Sequence, residues 1–340
     1  MRTGRLRAPL LVLAGIPALL LSIAVAVTLG PAPLSVGDVA GVVGARLGLG
    51  ETDVSRIGQG IVWQLRLPRA VLAAICGAGL GTCGAVLQSL LRNPLADPFL
   101  LGVSAGASTG AVLVVILGLG AGAIGLTAGA FAGALVAFAL VMTLGSLAGG
   151  TTTHLVLAGV AGTQLFSALT SFVVITSADA EQTRGVLFWL LGSLSGARWN
   201  DVAVSGVVCA VCLLVCLARA GSLDAFALGR DTAAALGVNV ARLRIVLLVV
   251  TALLAATLVA AAGAIGFVGL VLPQAAKLVV GPRHRALLPV TAVLGAILLV
   301  WVDVLATTVA APQEVPVGVM TALVGVPAFA ILLARRGRTS

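Results

Sequence analysis

The sequence LDAFALGRDTAAALGVNVARLR, residues 223–244, separates two long apolar segments and is one of the few long interruptions in an otherwise hydrophobic chain. Gly229 and Gly237 divide it into short pieces, and Gly237 follows good helix formers, the usual position of a left-handed helix stop. Asn239 is placed to cap the next helix. A helix of about seven residues is not stable alone in water. We therefore expect another surface to hold this segment.

The composition indicates a membrane protein. The chain is 60% hydrophobic and only 9% charged, whereas a soluble domain has roughly 25% charged residues. Its mean hydropathy is +1.20. The apolar runs are continuous rather than alternating, which favours helices over a membrane β-barrel. We predict an all-α, polytopic helical bundle that forms a single transmembrane domain over residues 1–340.

Hydropathy predicts ten membrane spans and places both termini in the cytoplasm. In this orientation about thirteen of the basic residues lie inside, as the positive-inside rule requires. The first apolar run exceeds the usual core of a cleaved signal peptide, so we expect it to be retained as a span. The predicted spans are residues 10–30, 68–91, 99–118, 122–148, 153–177, 200–219, 242–262, 266–280, 286–308 and 315–334.

The net charge of +9 does not indicate nucleic-acid binding, because the basic residues are scattered over loop ends instead of forming one face. Cys209, Cys212 and Cys216 recur on one helical face without His or carboxylate neighbours, so we expect packing residues and no metal site. The GxGxxG match at 120–125 follows no strand and is interpreted as a turn. No nucleotide-binding or hydrolytic motif is present in the sequence, and we expect a chain that is not an enzyme.

Three further patterns predict local structure. The amphipathic piece SVGDVAGVVGARLG, residues 35–48, is expected to lie on the outer interface, and the stretch 180–191 is expected to form a short external helix. Glycines at helical spacing, such as Gly77, Gly81 and Gly84, would allow helices to pack closely.

Several strings are too specific for generic membrane helices, and they occur in collinear order from Arg66 to Arg336. They are RLPRAVLAAICGAGLGTCGAVLQSLLRNPLADPFLLGVSAGAS (66–108), FWLLGSL (188–194), LGRDTAAALG (228–237), GAIGFVGLVLPQAAKLVVGPRHRALLP (263–289) and EVPVGVMTALVGVPAFAILLARR (314–336). Together they resemble the permeases of the iron-siderophore and cobalamin (FecCD-type) class of ABC importers.

This resemblance implies a type II ABC importer permease in the cell membrane, surrounded by lipid. It also implies two copies of a partner ATPase that uses ATP and Mg²⁺, an extracytoplasmic binding protein, and a second permease subunit. The chain itself is expected to bind no cofactor. In the resembled family the segment matching 223–241 supplies the cytosolic coupling helices that insert into the ATPase. The residues we assign to this role are Arg230, Asp231, Ala235, Leu236 and Gly237.

Three charged residues flank the predicted outer ends of spans. In the resembled family, arginines matching Arg66 and Arg69 help to receive acidic residues of the binding protein. Simple snorkelling to the interface explains these arginines equally well. Glu314 is either a third docking charge or a carboxylate that stabilises a helix N-terminus.

Polar residues within the spans are candidates for the translocation pathway. Asp303 and Lys277 are costly at membrane depth, so they either pair with each other or face a pathway. The neutral candidates are Gln88, Gln164 and Gln274, for which interhelical hydrogen bonds are an equal alternative. In addition, Pro273 and Pro327 free backbone carbonyls that neighbours or water must satisfy.

The residues Asn93, Pro94, Asp97 and Pro98 predict a rigid turn between the second and third spans, because proline disfavours helix at the residue before it. We expect this turn to lie on the cytosolic side and interpret it as structural.

The sequence departs from the family where Gln274 and Lys277 replace the usual His and Arg, and where Thr307 replaces a frequent Arg. A docking charge is therefore missing, which favours pairing with a nonidentical permease paralogue, although a homodimer stays possible. Iron-siderophore import is the leading assignment, with cobalamin and haem open. An ion-gradient-driven transporter with Asp303 as coupling carboxylate is the rival from another class, and it predicts inverted repeats. A membrane-embedded enzyme would need a nucleophile or metal constellation that the sequence does not show.

Overall fold

The structure is a computed structural model that describes residues 3–30, 34–116, 123–177 and 180–337. Within these ranges every regular element is a helix. The predicted turn at 120–125 lies partly outside them. The helices are α1 Thr3–Thr28, α2 Val36–Arg46, α3 Arg56–Gly60, α4 Leu67–Leu90, α5 Val103–Ile116, α6 Ala123–Leu147, α7 Thr152–Ser177, α8 Ala180–Leu190, α9 Trp199–Ala218, α10 Ala220–Ala227, α11 Arg230–Ala235, α12 Val240–Ala262, α13 Val268–Val280, α14 His284–Thr308 and α15 Val317–Gly337.

Ten apolar helices correspond to the ten predicted spans. Among the described residues, seven are long and apolar enough to cross a membrane, and α5, α13 and α15 are shorter. The second span begins earlier than predicted, because the helix runs without interruption from Arg56 to Leu90. A π-helical segment, Ile61–Arg66, precedes Pro68 and carries the helix through a proline that sequence reasoning took as its start. The all-α membrane bundle is confirmed.

Two short helices occupy the outer stretches that the sequence patterns single out, and the helix predicted at 180–191 is confirmed. Helix α2 begins with a capping box, in which the Ser35 hydroxyl accepts the Asp38 N–H at 3.1 Å and the Asp38 carboxylate accepts the Ser35 N–H at 2.8 Å. Helix α8 covers the predicted stretch at 180–191. The bonds of the α2 capping box lie within one turn of the chain, so a local sequence pattern can specify them.

Helix α4 is the centre of the bundle and packs against α9, α12, α13 and α14. Its glycines allow this close packing. A methyl group at Gly77 would overlap the carbonyl oxygen of Gly295 on α14, and one at Gly84 would overlap that of Gly269 on α13. The glycine pattern therefore sets the interhelical distance, as predicted.

The bundle has two ends, which α4 connects. We call the end that carries α10 and α11 the α11 face; α4 ends there, next to α10, and α14 begins there. At the opposite face α4 begins, α14 ends and α15 starts. The cytoplasmic location of the α11 face stays a prediction from the charge distribution.

Candidate functional site

Helix α11 ends as the sequence predicts. The backbone φ is +126° at Gly229 and +80° at Gly237. After the last turn, the Gly237 N–H donates to the Ala234 carbonyl at 2.9 Å and the Val238 N–H donates to the Ala233 carbonyl at 3.0 Å. These paired bonds are the Schellman arrangement, which favours glycine at the left-handed position. The predicted glycine stop is confirmed.

The start of α12 fits the prediction as well. The Asn239 side chain accepts the Arg242 N–H at 3.0 Å and caps the helix. Stop and cap together hold α11 as a short, separate helix between α10 and α12.

Most of α11 is exposed. Ala233 is fully buried, whereas Asp231, Ala235 and Gly237 are exposed. The side chain of Arg230 lies outside the described part of the structure. Two large apolar side chains flank the helix, with Leu228 71% exposed and Leu236 64% exposed. The α11 face thus presents apolar area beside a carboxylate.

An open cleft lies next to α11. It has a volume of about 510 Å³ and is lined by Arg92, Leu228, Gly229, Asp231 and Thr232. Arg92 follows the end of α4 with a left-handed backbone, φ +48°, which turns the chain into the loop that leads to α5. The cleft therefore combines the end of α4 with the start of α11.

Three of the polar residues predicted within spans form one cluster near the α11 face. The Gln88 amide oxygen accepts hydrogen bonds from the Gln274 amide at 2.5 Å and from the Lys277 ammonium at 3.1 Å. The Gln274 amide nitrogen also donates to the carbonyl of Pro94 at 3.2 Å. This polar cluster joins α4 and α13 to the loop at 93–98.

The polar cluster supplies a hydrogen-bond donor where Pro273 interrupts the backbone bonds of α13. Proline has no N–H, so the carbonyl of Gly269, four residues earlier, loses its helical partner. The Gln88 amide nitrogen donates to this carbonyl at 3.3 Å and to that of Leu270 at 3.2 Å. Gln88 therefore supplies from α4 the donor that α13 lacks.

The predicted turn at 93–98 is present. The Asn93 side chain accepts the Leu95 N–H at 2.9 Å, and the Asp97 side chain accepts the Phe99 N–H at 2.9 Å. Pro98 then opens a 3₁₀ turn, Pro98–Leu101. Burial raises the pKa of Asp97 to about 6, against the lowering effect of the bond from Phe99.

At the opposite face a single arginine binds two carboxylates. Arg69 on α4 donates to Asp303 on α14 through Nε and Nη2, both at 2.9 Å, and to Glu314 through Nη1 at 2.9 Å. The exposed fractions of the three side chains are 15%, 8% and 39%. The predicted alternative of a mutual Lys277–Asp303 pair is wrong, because each residue has its partner on α4, at opposite ends of that helix.

The other candidates have separate surroundings. The Arg66 guanidinium donates to the carbonyls of Val27 and Thr28 at 3.0 and 3.3 Å, where it stabilises the C-terminal end of α1. Arg66 and Arg69 thus both make bonds within the chain, and their role in docking stays a prediction. Gln164 is exposed on α7 and lies outside the polar cluster.

Sequence reasoning missed one connected set of side chains. The Asp224 carboxylate on α10 lies 2.6 Å from His284 Nδ1 and accepts the His284 backbone N–H at 2.9 Å. On its other side, the imidazole Nε2 lies 2.6 Å from the Ser89 hydroxyl on α4. The only sequence signal is a lone histidine after a Gly-Pro break at a helix start, which does not identify its partners.

Comparison with known proteins places these features in a family. The model of the FecCD transport family matches residues 18–335. The chain is 45% identical over 284 residues to the cobalamin import system permease protein BtuC of Halobacterium salinarum, which covers 83% of this chain and 76% of the relative. It is 37% identical over 308 residues to the Fe(3+)-citrate import system permease protein YfmD of Bacillus subtilis, with 87% and 91% covered.

A solved structure has a similar fold. It is described as an inward-facing conformation of a metal-chelate type ABC transporter, and it matches with a TM-score of 0.85 at 30% identity, over 96% of this chain and 99% of that chain. The family match, the relatives and this structure agree over nearly the whole bundle. The chain therefore belongs to the FecCD transport family, as an ABC importer permease.

Proposed function

We propose that this chain forms half of the membrane channel of an ATP-driven importer for a large metal chelate, and that a partner ATPase binds at its α11 face. The exposure of α11 is the observation that carries the proposal. A short helix with Leu228 and Leu236 more than half exposed is better suited to a protein groove than to water, because such contacts bury apolar area.

The partner ATPase supplies the energy in this proposal. The cleft beside α11 and the backbone geometry of the glycines at its two ends, Gly229 and Gly237, support a contact of defined shape. When two ATPase copies close on nucleotide, they move the two α11 helices together, and the attached spans shift between outward and inward access. The α11 face and both termini are then cytoplasmic, in agreement with the arginine distribution.

The direct test combines Asp231→Arg with Gly237→Leu. The pair reverses a charge and removes the glycine stop, so we expect the ATPase to be lost on co-purification and ATP-dependent uptake to fall at least about tenfold, as when an interface hot spot is disrupted. Glu51→Arg makes the same charge reversal on an exposed residue of the opposite face and should leave ATPase binding unchanged. Unchanged association and transport in the double variant would rule out α11 as the coupling element.

An iron-siderophore chelate is the substrate we favour, since Fe(3+)-citrate and iron(3+)-hydroxamate permeases are among the relatives. Cobalamin is the second candidate because the 45% identical relative is a cobalamin permease. Uptake of ⁵⁵Fe-ferrichrome and of ⁵⁷Co-cyanocobalamin into proteoliposomes that contain the complete complex would decide between them. Uptake that survived removal of the ATPase but collapsed with the ion gradient would instead establish a secondary transporter.

We further infer that the opposite face receives the binding protein and that the second permease subunit is a nonidentical paralogue. Thr307 bonds back to the carbonyl of Val304 at 2.9 Å and offers no docking charge. Arg69 is already bound to two carboxylates, so its charge is largely neutralised within the chain. A purified complex with two copies of this chain and no second permease would exclude the paralogue.

A further inference from the structure

The side chains of Asp224, His284 and Ser89 connect three helices at the α11 face. Asp224 belongs to α10, which directly precedes α11; His284 is the first residue of α14; Ser89 lies in the last turn of α4. We call this set the Asp-His-Ser bridge. Its two side-chain contacts are both 2.6 Å long, and His284 is almost fully buried, with a side chain 3% exposed.

The chemistry of the bridge fixes where one proton lies. A carboxylate only accepts hydrogen bonds, so Nδ1 of His284 carries the proton that is donated to Asp224. The same carboxylate accepts the backbone N–H of His284 at 2.9 Å, one of the free donors at the start of α14. Asp224 therefore holds both the side chain and the helix start, and the far nitrogen of the ring meets the Ser89 hydroxyl.

These three residue types also form the catalytic triads of hydrolases, but the surroundings here do not suit a nucleophile. Ser89 lies at the C-terminal end of α4, where the backbone carbonyls and the negative end of the helix dipole are found. An oxyanion needs N–H donors or positive charge at that point. The bridge is consequently better suited to transmitting position than to acyl transfer.

The bridge adds direction to a contact that is otherwise apolar. Helix α10 also packs into the core through Leu223 and Phe226, which are 0% and 3% exposed. Apolar contacts resist separation but are non-directional, whereas short hydrogen bonds through a rigid imidazole fix angle and register. A displacement of α10 must then move the start of α14 and the end of α4 together.

We propose that Asp224, His284 and Ser89 are positioning residues that transmit the movement of the α11 region to α4 and α14 during the transport cycle. This inference rests on the proposed function, because it needs an ATPase that moves α11. Without the bridge, α10 can slip on its apolar contacts while the ATPase still binds and turns over. The predicted defect is therefore a loss of coupling and not a loss of assembly.

The experiment uses the complete complex in proteoliposomes, with ferrichrome or cyanocobalamin as the probe, whichever the unaltered complex imports. Ser89→Ala removes one hydroxyl, and Asp224→Leu removes the carboxylate that accepts the backbone and side-chain N–H groups of His284. We expect ATP hydrolysis within about twofold of the unaltered complex. The amount of chelate imported per ATP should fall about fivefold, the factor that corresponds to one lost, partly buried hydrogen bond. Ser89→Thr keeps the hydroxyl and should restore the ratio.

Thr170→Val is the matched control. The Thr170 hydroxyl lies 2.8 Å from that of Thr109 on α5, so this variant also removes a buried hydroxyl bridge between helices, but away from α10. An import-to-ATP ratio lowered equally in the control, or unchanged in both bridge variants, overturns the inference. If the unaltered complex shows no ATP-dependent uptake, the proposed function itself is rejected. That outcome differs from a normal unaltered complex with normal bridge variants, which rejects only the inference about the bridge.

Discussion

Replacement of Arg69 by methionine tests the charge arrangement at the opposite face. Arg69 binds Asp303 through two hydrogen bonds of 2.9 Å and Glu314 through a third. Methionine keeps much of the side-chain volume but removes the positive charge. Asp303, 8% exposed as a side chain, is then left without its partner in a site that excludes water.

The two carboxylates should contribute very differently. Loss of one partner of a buried ion pair costs about 3–5 kcal/mol, because the remaining charge is uncompensated. The side chain of Glu314 is 39% exposed, so its ion pair with Arg69 should contribute less than about 1 kcal/mol to the free energy of unfolding. We therefore expect Arg69→Met to lower the free energy of unfolding by about 3–5 kcal/mol and Glu314→Gln by less than about 1 kcal/mol.

The double variant Arg69→Met/Asp303→Leu provides the sharper measurement. It removes both charges, so most of the stability lost in either single variant should return. Unfolding in mixed micelles titrated with sodium dodecyl sulfate, followed by tryptophan fluorescence, is measured for the unaltered protein, Arg69→Met, Asp303→Leu and the double variant. These four free energies of unfolding form a double-mutant cycle. A coupling energy below about 0.5 kcal/mol, the range of independent sites, would refute the assignment of Asp303 to Arg69.

Three further predictions concern the interior and the loop at 93–98. Gln88→Leu should lower the free energy of unfolding by about 2–3 kcal/mol in the same assay, because the Gly269 carbonyl beside Pro273 loses its donor. The raised pKa of Asp97, about 6, means that the folded state holds its proton more tightly than the unfolded chain does. The free energy of unfolding should consequently decrease as the pH rises from about 4 to about 6. Asp97→Asn should make the unfolding midpoint less dependent on pH across that range. Gly77→Ala forces α4 and α14 apart and should cost about 1–3 kcal/mol or more, whereas Gly185→Ala, with open space around it, should cost nothing measurable in the same unfolding titration.

Features that depend on neighbouring residues could be predicted from the sequence. The Gly237 stop and the Asn239 cap are made by bonds that reach only a few residues along the chain, so local patterns specify them. The ten spans follow from apolar length in the same way. The helix of the second span starts earlier than hydropathy predicts, because hydropathy reports apolar length and not where a helix begins. Nothing local in the sequence indicates the π-helical segment Ile61–Arg66.

Long-range partners could not be predicted, for a physical reason. The high cost of charge at membrane depth shows that Asp303 needs a partner, but it does not say which helix supplies it. Arg69 is 234 residues away along the chain, and the choice between it and Lys277 depends on the rotation and height of α4 against α14. The same holds for Pro273. The sequence shows that this proline leaves a backbone carbonyl without its donor, but it does not show that Gln88 on α4 replaces that donor.

Helices α4 and α14 are joined at three levels, which makes them the natural rigid element of the bundle. Arg69 and Asp303 bind at the opposite face, Gly77 and Gly295 meet in the middle, and Ser89 and His284 bind at the α11 face. Two helices tied at both ends and in close contact between them cannot slide or tilt separately without breaking polar contacts. If the proposed coupling holds, a displacement of α10 is passed through Asp224 and His284 to α14 and, through Ser89, to α4. The far end of α14 carries Asp303, which is bound to Arg69. The face that we assign to the binding protein and the face that we assign to the ATPase are therefore connected by the same pair of helices.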